Sequence, residues 1–237
     1  NRHQTRSEPL RLEVVGLTQS PNGALAIADP DSEMAASSRE WVSLPQDEIT
    51  IGPGEAAQIP VMIEVPPDAR GTYASAVLVR TESPDVPEGS GEGQQAVFAI
   101  SFAFLIPLVT EIRGRPVRQD VSVAGLSMAY DDGLDADGTR VSEPTTRAGM
   151  RIVNAGQTYS SLEGEVRVER RVGGGWRLVT AADIAGKKIL PGITLDLGMD
   201  LERRLPSGDY RLVGNLLVDG RRTPRVVEEV AFAGDPK

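Results

Sequence analysis

A chain of 237 residues with 40% apolar and 25% charged content has enough material for one or two cores and is not composed like a disordered segment. A net charge of −9 argues against nucleic acid as a partner, because phosphate binding needs a dense basic surface. Zero Cys and a single His (His3) exclude disulfides, thiol chemistry, Cys-ligated zinc and a His-based triad within this chain.

No window reaches the ~18 consecutive apolar residues of a membrane span, so none is expected. Seventeen Pro and 25 Gly between short apolar runs point to an all-β chain rich in turns. Neither a signal peptide nor an initiating Met stands at the start, so whatever address the protein carried is expected to lie outside these residues.

In chain order, residues 1–9 are polar and end in Pro9, and Leu10–Leu17 reads as a strand. Pro21-Asn22-Gly23 marks a turn, and a second strand follows through Asp29. After a polar loop, Trp41–Leu44 resumes the alternation. Strands are then expected over Ile49–Ile51, Gln58–Val65 and Thr72–Arg80, separated by Pro53-Gly54 and by Pro66-Pro67 with Gly71.

The most marked stretch is Gln94–Ile106. Its even positions hold Phe98, Ile100, Phe102, Phe104 and Ile106, and its odd positions hold Val97, Ala99, Ser101, Ala103 and Leu105. That period of two predicts a strand of ~43 Å with one bulky face, closed by Pro107. Two readings stay open for Val97, Phe98, Ile100, Phe102 and Phe104. They line the inner face of a sandwich, or part of the strand is an uncovered edge that pairs with a partner.

Residues 113–119 read as a linker, and the pattern then restarts. Strands are expected at 121–130, 149–153, 161–172 and 176–180, then around Tyr210 and at 225–233. Trp41, Pro53-Gly54, Pro66-Pro67 and Gly71-Thr72-Tyr73 match Trp176, Pro191-Gly192, Pro206 and Gly208-Asp209-Tyr210. From the Pro of Pro-Gly to the Tyr is 20 residues in one half and 19 in the other. The fold expected is two tandem immunoglobulin-like β-sandwiches, residues 1–112 and 120–237, each Tyr forming a corner whose hydroxyl bonds to backbone upstream. Against the second half, the first lacks two opening strands, which upstream residues or a partner would supply.

The Trp…Pro-Gly…Pro-Pro…Gly-x-Tyr series resembles bacterial extracytoplasmic proteins with two immunoglobulin-like domains, above all the periplasmic pilus-assembly chaperones. The resemblance spans nearly the whole chain but rests on loose motifs. It implies a non-enzymatic module without cofactor, in the periplasm or at the cell surface, with pilin-like subunits as partners. It further implies that Gln94–Pro107 is the last strand of the first domain and pairs edge-on with a client. In that family an Arg and a Lys hold the client's terminal carboxylate. Here no Lys or Arg occurs between Gln94 and Glu111, and the Arg expected on a first strand falls in the part this domain lacks. Leu205–Tyr210 also resembles the turn of cell-surface WxL-interacting proteins. That alternative is a structural or adhesive module binding a wall polymer or an envelope protein.

Other candidates have plainer readings beside the functional ones. Arg113, Arg115 and Arg118 lie in the interdomain hinge, where they could fork onto a carboxylate or simply face water. Asp131, Asp132, Asp135 and Asp137 with Gly133 and Gly138 resemble part of a calcium loop. Gly133 replaces the first Asp, however, and Pro144 replaces the closing Glu, so a solvated acidic loop is expected. Arg221, Arg222 and Arg225 flank a hairpin turn. Gly173–Gly175 has neither the Lys nor the helix of a phosphate loop.

Overall fold

A computed structural model describes residues 1, 5–32, 36–81 and 101–234. The chain divides into two units. The first takes in 1–17, 27–69 and 73–111; the second takes in 18–26, 70–72 and 112–237. Short strands with Gly and Pro between them produce an all-β fold in each. Among the described residues the only helical piece is one 3₁₀ turn, Arg39–Trp41.

The first unit is built from β1 (Glu8–Gln19), β2 (Leu25–Ile27), β3 (Val42–Ser43), β4 (Glu48–Ile51), β5 (Met62–Ile63), β6 (Gly71–Thr81) and β7 (Ala103–Ile112). Its larger sheet runs β2-β1-β6-β7, with β4 also on β1, and the smaller is β3-β5. β1 and β6 form the antiparallel centre, from Leu10 opposite Thr81 to Gly16 opposite Ser75. Leu12, Val15, Leu17, Ala74, Ala76, Val77 and Leu78 are buried there. The strand expected over Gln58–Val65 is only Met62–Ile63. Pro60 and Pro66 bracket it, and neither can donate to a ladder.

The second unit is a fuller sandwich of β8 (Val121–Asp131), β9 (Thr145–Asn154), β10 (Ser160–Val172), β11 (Gly175–Ile189), β12 (Thr194–Asp200), β13 (Gly208–Val218), β14 (Arg221–Arg222) and β15 (Val226–Phe232). One sheet is β12-β9-β8. The other runs β11-β10-β13-β14 with β15 also on β13. Ile152, Leu162, Val166, Leu195, Leu212 and Leu216 form the core between them. The hairpin β10–β11 turns through Gly173 and Gly174, both at positive φ (57° and 82°), with Val172 opposite Gly175. A two-residue loop of this handedness matches the twist of its strands. β11 therefore starts in register and runs to Ile189, far beyond the expected 176–180.

Tyr210 is fully buried and its hydroxyl donates to the Pro206 carbonyl at 2.8 Å, the corner expected from the sequence. Burial raises its pKa above the ordinary tyrosine value, and Arg170 over its ring works the other way. Phe232 meets the ring edge-on at 6.0 Å. Its counterpart Tyr73 packs on Trp41 with ring centroids 4.2 Å apart. Gly54 and Gly192 of the two Pro-Gly turns both take positive φ (70° and 76°), as a Pro-Gly type II turn requires.

Segments 18–26 and 70–72 are bonded into the second unit. The buried Gln19 donates to the Lys188 carbonyl (2.9 Å) and accepts from Leu190 N (2.7 Å), and Thr72 N donates to the Gln157 carbonyl (2.8 Å).

Candidate functional site

The partner-strand candidates divide into two groups. Val97, Phe98 and Ile100 lie outside the described residues. Phe102 and Phe104 are described, and both stand 58% exposed, with Ile106 at 50%. The two rings stack on each other, centroids 6.5 Å apart. No residue of β7 is fully buried; Leu105, Leu108, Thr110 and Ile112 are partly covered. Among the described residues, no second layer covers Phe102 and Phe104. Covering one such ring is worth about 1.5–3 kcal/mol.

The second unit supplies the reason. Its β10, β13 and β15 correspond to β1, β6 and β7, each set an antiparallel centre with a last strand beside it. Val226 and Val230 of β15 pack onto a core to which β8 contributes Leu126, Val123 and Met128. Leu126 N also donates to Glu228 of β15 at 3.0 Å. Likewise β12 is paired along its length by β9. Among the described residues of the first unit, no strand takes the place of β8 or β9. Both of the surfaces those strands would cover are open: Phe102, Phe104 and Ile106 at β7, and Val61, Met62, Ile63 and Val65 around β5.

Among the described residues β7 is also an end strand of its sheet, hydrogen-bonded to β6 alone. The Phe102 carbonyl accepts from Thr81 N at 2.9 Å, and Phe102 N donates to Thr81 Oγ1 at 2.8 Å, so the Phe102 backbone faces β6. Backbone groups alternate sides along a strand. Ala103, Leu105 and position 107 consequently present theirs to the open edge. Pro107 does not close the strand, contrary to expectation: β7 runs through it to Ile112. A proline fits there because its absent N–H falls on the side with no ladder to serve.

End strands are commonly guarded by charge. β11 carries Arg177, Asp183, Lys187 and Lys188; β15 carries Glu228 and Glu229. From Ser101 to Thr110 there is no charged residue at all, and Glu111 is the first.

Arg113, Arg115 and Arg118 follow β7 directly. Arg118 is held locally, donating to the Ala155 carbonyl at 2.5 Å and pairing with Asp120 at 3.4 Å. The acidic loop is organised by backbone donors. Asp131 accepts from Gly133 N, Asp132 from Leu134 N, and Asp135 from Asp137 N and Thr139 N at 2.8–3.0 Å. Asp131 also pairs with Arg147 at 3.1 Å. Among the described residues no group of three or more His, Asp or Glu side chains is placed to hold a metal ion. Nor is any described helix long and apolar enough to cross a membrane.

No family model and no curated protein matches the chain. Three solved structures are among those it is similar to. A chain of a chaperone–tip adhesin complex of CFA/I fimbriae biogenesis is 12% identical, with 96% of this chain and 88% of that one covered and a TM-score of 0.44. The class 5 fimbriae chaperone CfaA is 14% identical over 97% and 87%, TM-score 0.38. The YadV chaperone is 11% identical over 98% and 88%, TM-score 0.38.

Proposed function

We propose that this protein is an extracytoplasmic, chaperone-like module that holds subunits of a surface appendage by pairing a subunit strand with β7. The observation that carries the reading is the open edge of β7. It is uncharged from Ser101 to Thr110, has exposed Phe102 and Phe104, and lacks the guarding charges of β11 and β15. Backbone groups of Ala103 and Leu105 would supply the bonds of an added strand, and the apolar side chains beside them its specificity. The chemistry asked of the protein is binding, and no catalytic residue is assigned.

The test is complex formation between the purified protein and a pilus subunit, followed by gel filtration and calorimetry. Wild type forms a one-to-one complex, and Phe104→Asp, which puts a charge on the edge, weakens it by about tenfold or more. Absence of a complex with the wild-type protein, together with stable attachment to envelope material, would replace this reading with that of a structural or adhesive module.

A further inference from the structure

The turn within residues 18–26 carries a reactive dipeptide. Of the chain's asparagines (Asn1, Asn22, Asn154 and Asn215), only Asn22 is followed by glycine. The backbone nitrogen after an asparagine can attack the side-chain amide, and glycine, having no Cβ, leaves that nitrogen unshielded. Asn22 is exposed, and its Oδ1 accepts from Ser20 Oγ (2.7 Å) and Ala24 N (3.1 Å). Both donors draw electron density away from Cγ, the carbon under attack. Asn154 is the contrast. It is buried, its amide donates to the Thr158 and Ile189 carbonyls, and alanine follows it.

The same turn restrains the nucleophile. Gly23 N donates to the Ser20 carbonyl at 2.8 Å, so the attacking nitrogen is engaged while the turn stays closed. Three contacts seat the turn. The Pro21 carbonyl accepts from Asp196 N (2.8 Å), and Lys187 Nζ donates to the Asn22 carbonyl (3.4 Å). The buried Gln19 donates to the Gly23 (3.1 Å) and Lys188 (2.9 Å) carbonyls.

We propose that Asn22-Gly23 is a modification site where the asparagine deamidates, at a rate set by opening of the turn. Gly23 N gives its proton to solvent base and bonds to Asn22 Cγ. The Cγ–Nδ2 bond then breaks, ammonia leaves, and a cyclic succinimide remains. Water opens the ring at the side-chain carbonyl to give aspartate, or at the main-chain carbonyl to give isoaspartate. No electron is gained or lost overall. In isoaspartate the main chain runs through Cβ and gains an atom within the turn. Its free carboxylate takes the place of the Asn22 carbonyl beside Lys187, and the bonds of Pro21 and Gly23 no longer fit together.

The test incubates the whole chain in mildly alkaline buffer, folded and unfolded in urea. Proteolytic peptides covering Asn22 are followed by mass spectrometry, and isoaspartate is labelled with an isoaspartyl methyltransferase. Under the same folded conditions NMR measures exchange of the Gly23 amide with deuterated solvent. Both reactions need the Ser20–Gly23 bond broken, so both scale with the fraction of turns that are open. Deamidation in the folded chain is at least about tenfold slower than in urea, and that ratio matches the Gly23 exchange protection within about threefold. Gln19→Ala, which unseats the turn, speeds both reactions by a common factor. An Asn22 that stays an amide well past the time set by Gly23 exchange overturns the site. Conversion of the folded chain as fast as in urea overturns the gate. If Gln19→Ala does not fold, the wild-type comparison decides by itself.

Discussion

Ala103→Pro separates the two sides of β7 more sharply than any side-chain change. Because the Phe102 carbonyl is taken by Thr81 N, the Ala103 N–H points to the open edge, and its side chain is exposed. Proline there removes no bond to β6 and no buried atom, and the extended backbone suits its fixed φ. The expected change in folding stability is within about 0.5 kcal/mol, as for a surface substitution. For a docking strand the change is severe. One backbone bond is lost, about 1 kcal/mol, and the ring occupies the space of the incoming chain, so affinity falls at least about tenfold. Phe104→Pro is the opposite control: its N–H faces β6, so it should destabilise the fold by about 1–3 kcal/mol. Urea denaturation measures stability, and anisotropy with a fluorescein-labelled peptide of about ten alternating valine and threonine residues measures binding. If Ala103→Pro destabilises as much as Phe104→Pro, the Ala103 N–H is engaged within the fold. If it binds the peptide as wild type does, the edge is not the docking site.

Three further outcomes concern the second unit. Tyr210→Phe keeps the buried ring but leaves the Pro206 carbonyl without its donor, and should cost about 1 kcal/mol in urea denaturation, with little change in the spectrum of the folded state. Arg211 donates to the nearly buried Glu169 at 2.7 Å and lies over Trp176 at 5.0 Å. Arg211→Ala should cost about 2 kcal/mol, and a double variant that also removes the carboxylate should recover part of it, because the unpaired acid carries much of the penalty. Asp196 is held below the usual carboxylate range by its hydrogen bond to Arg151. Its stabilising contribution is therefore present above its unfolded-state pKa and is lost as pH falls through the lower folded value. The NMR titration of Asp196 should move up in Arg151→Ala; an unchanged midpoint would remove the pair as its cause.

Much of the architecture could be read from local chemistry. Pro-Gly at 53–54 and 191–192 demands a turn with positive φ at Gly, and both glycines adopt it. The Tyr of Gly-Asp-Tyr, just after Pro206, has the acceptor for its hydroxyl four residues upstream, so the corner is legible without knowing the rest of the sheet. The acidic loop was likewise readable. Short Asp side chains close on backbone N–H groups two residues on, which is what spaced Asp residues do in turns. The length of β11 was not legible, because edge residues such as Arg177, Lys187 and Lys188 break an alternation that pairing with β10 nevertheless sustains.

The strand around Phe102 and Phe104 shows where sequence ends and tertiary structure begins. A period of two determines that Phe102, Phe104 and Ile106 share a face and that the segment is extended. It carries no information on whether another layer lies over that face, because cover depends on strands distant in the chain. In the second unit β8 supplies it for β15; in the first, among the described residues, nothing does for β7. Pro107 makes the same point at the level of one bond. The sequence alone determined that its nitrogen has no hydrogen to give; only the sheet decided that this nitrogen faces an open edge, where the strand can continue past it.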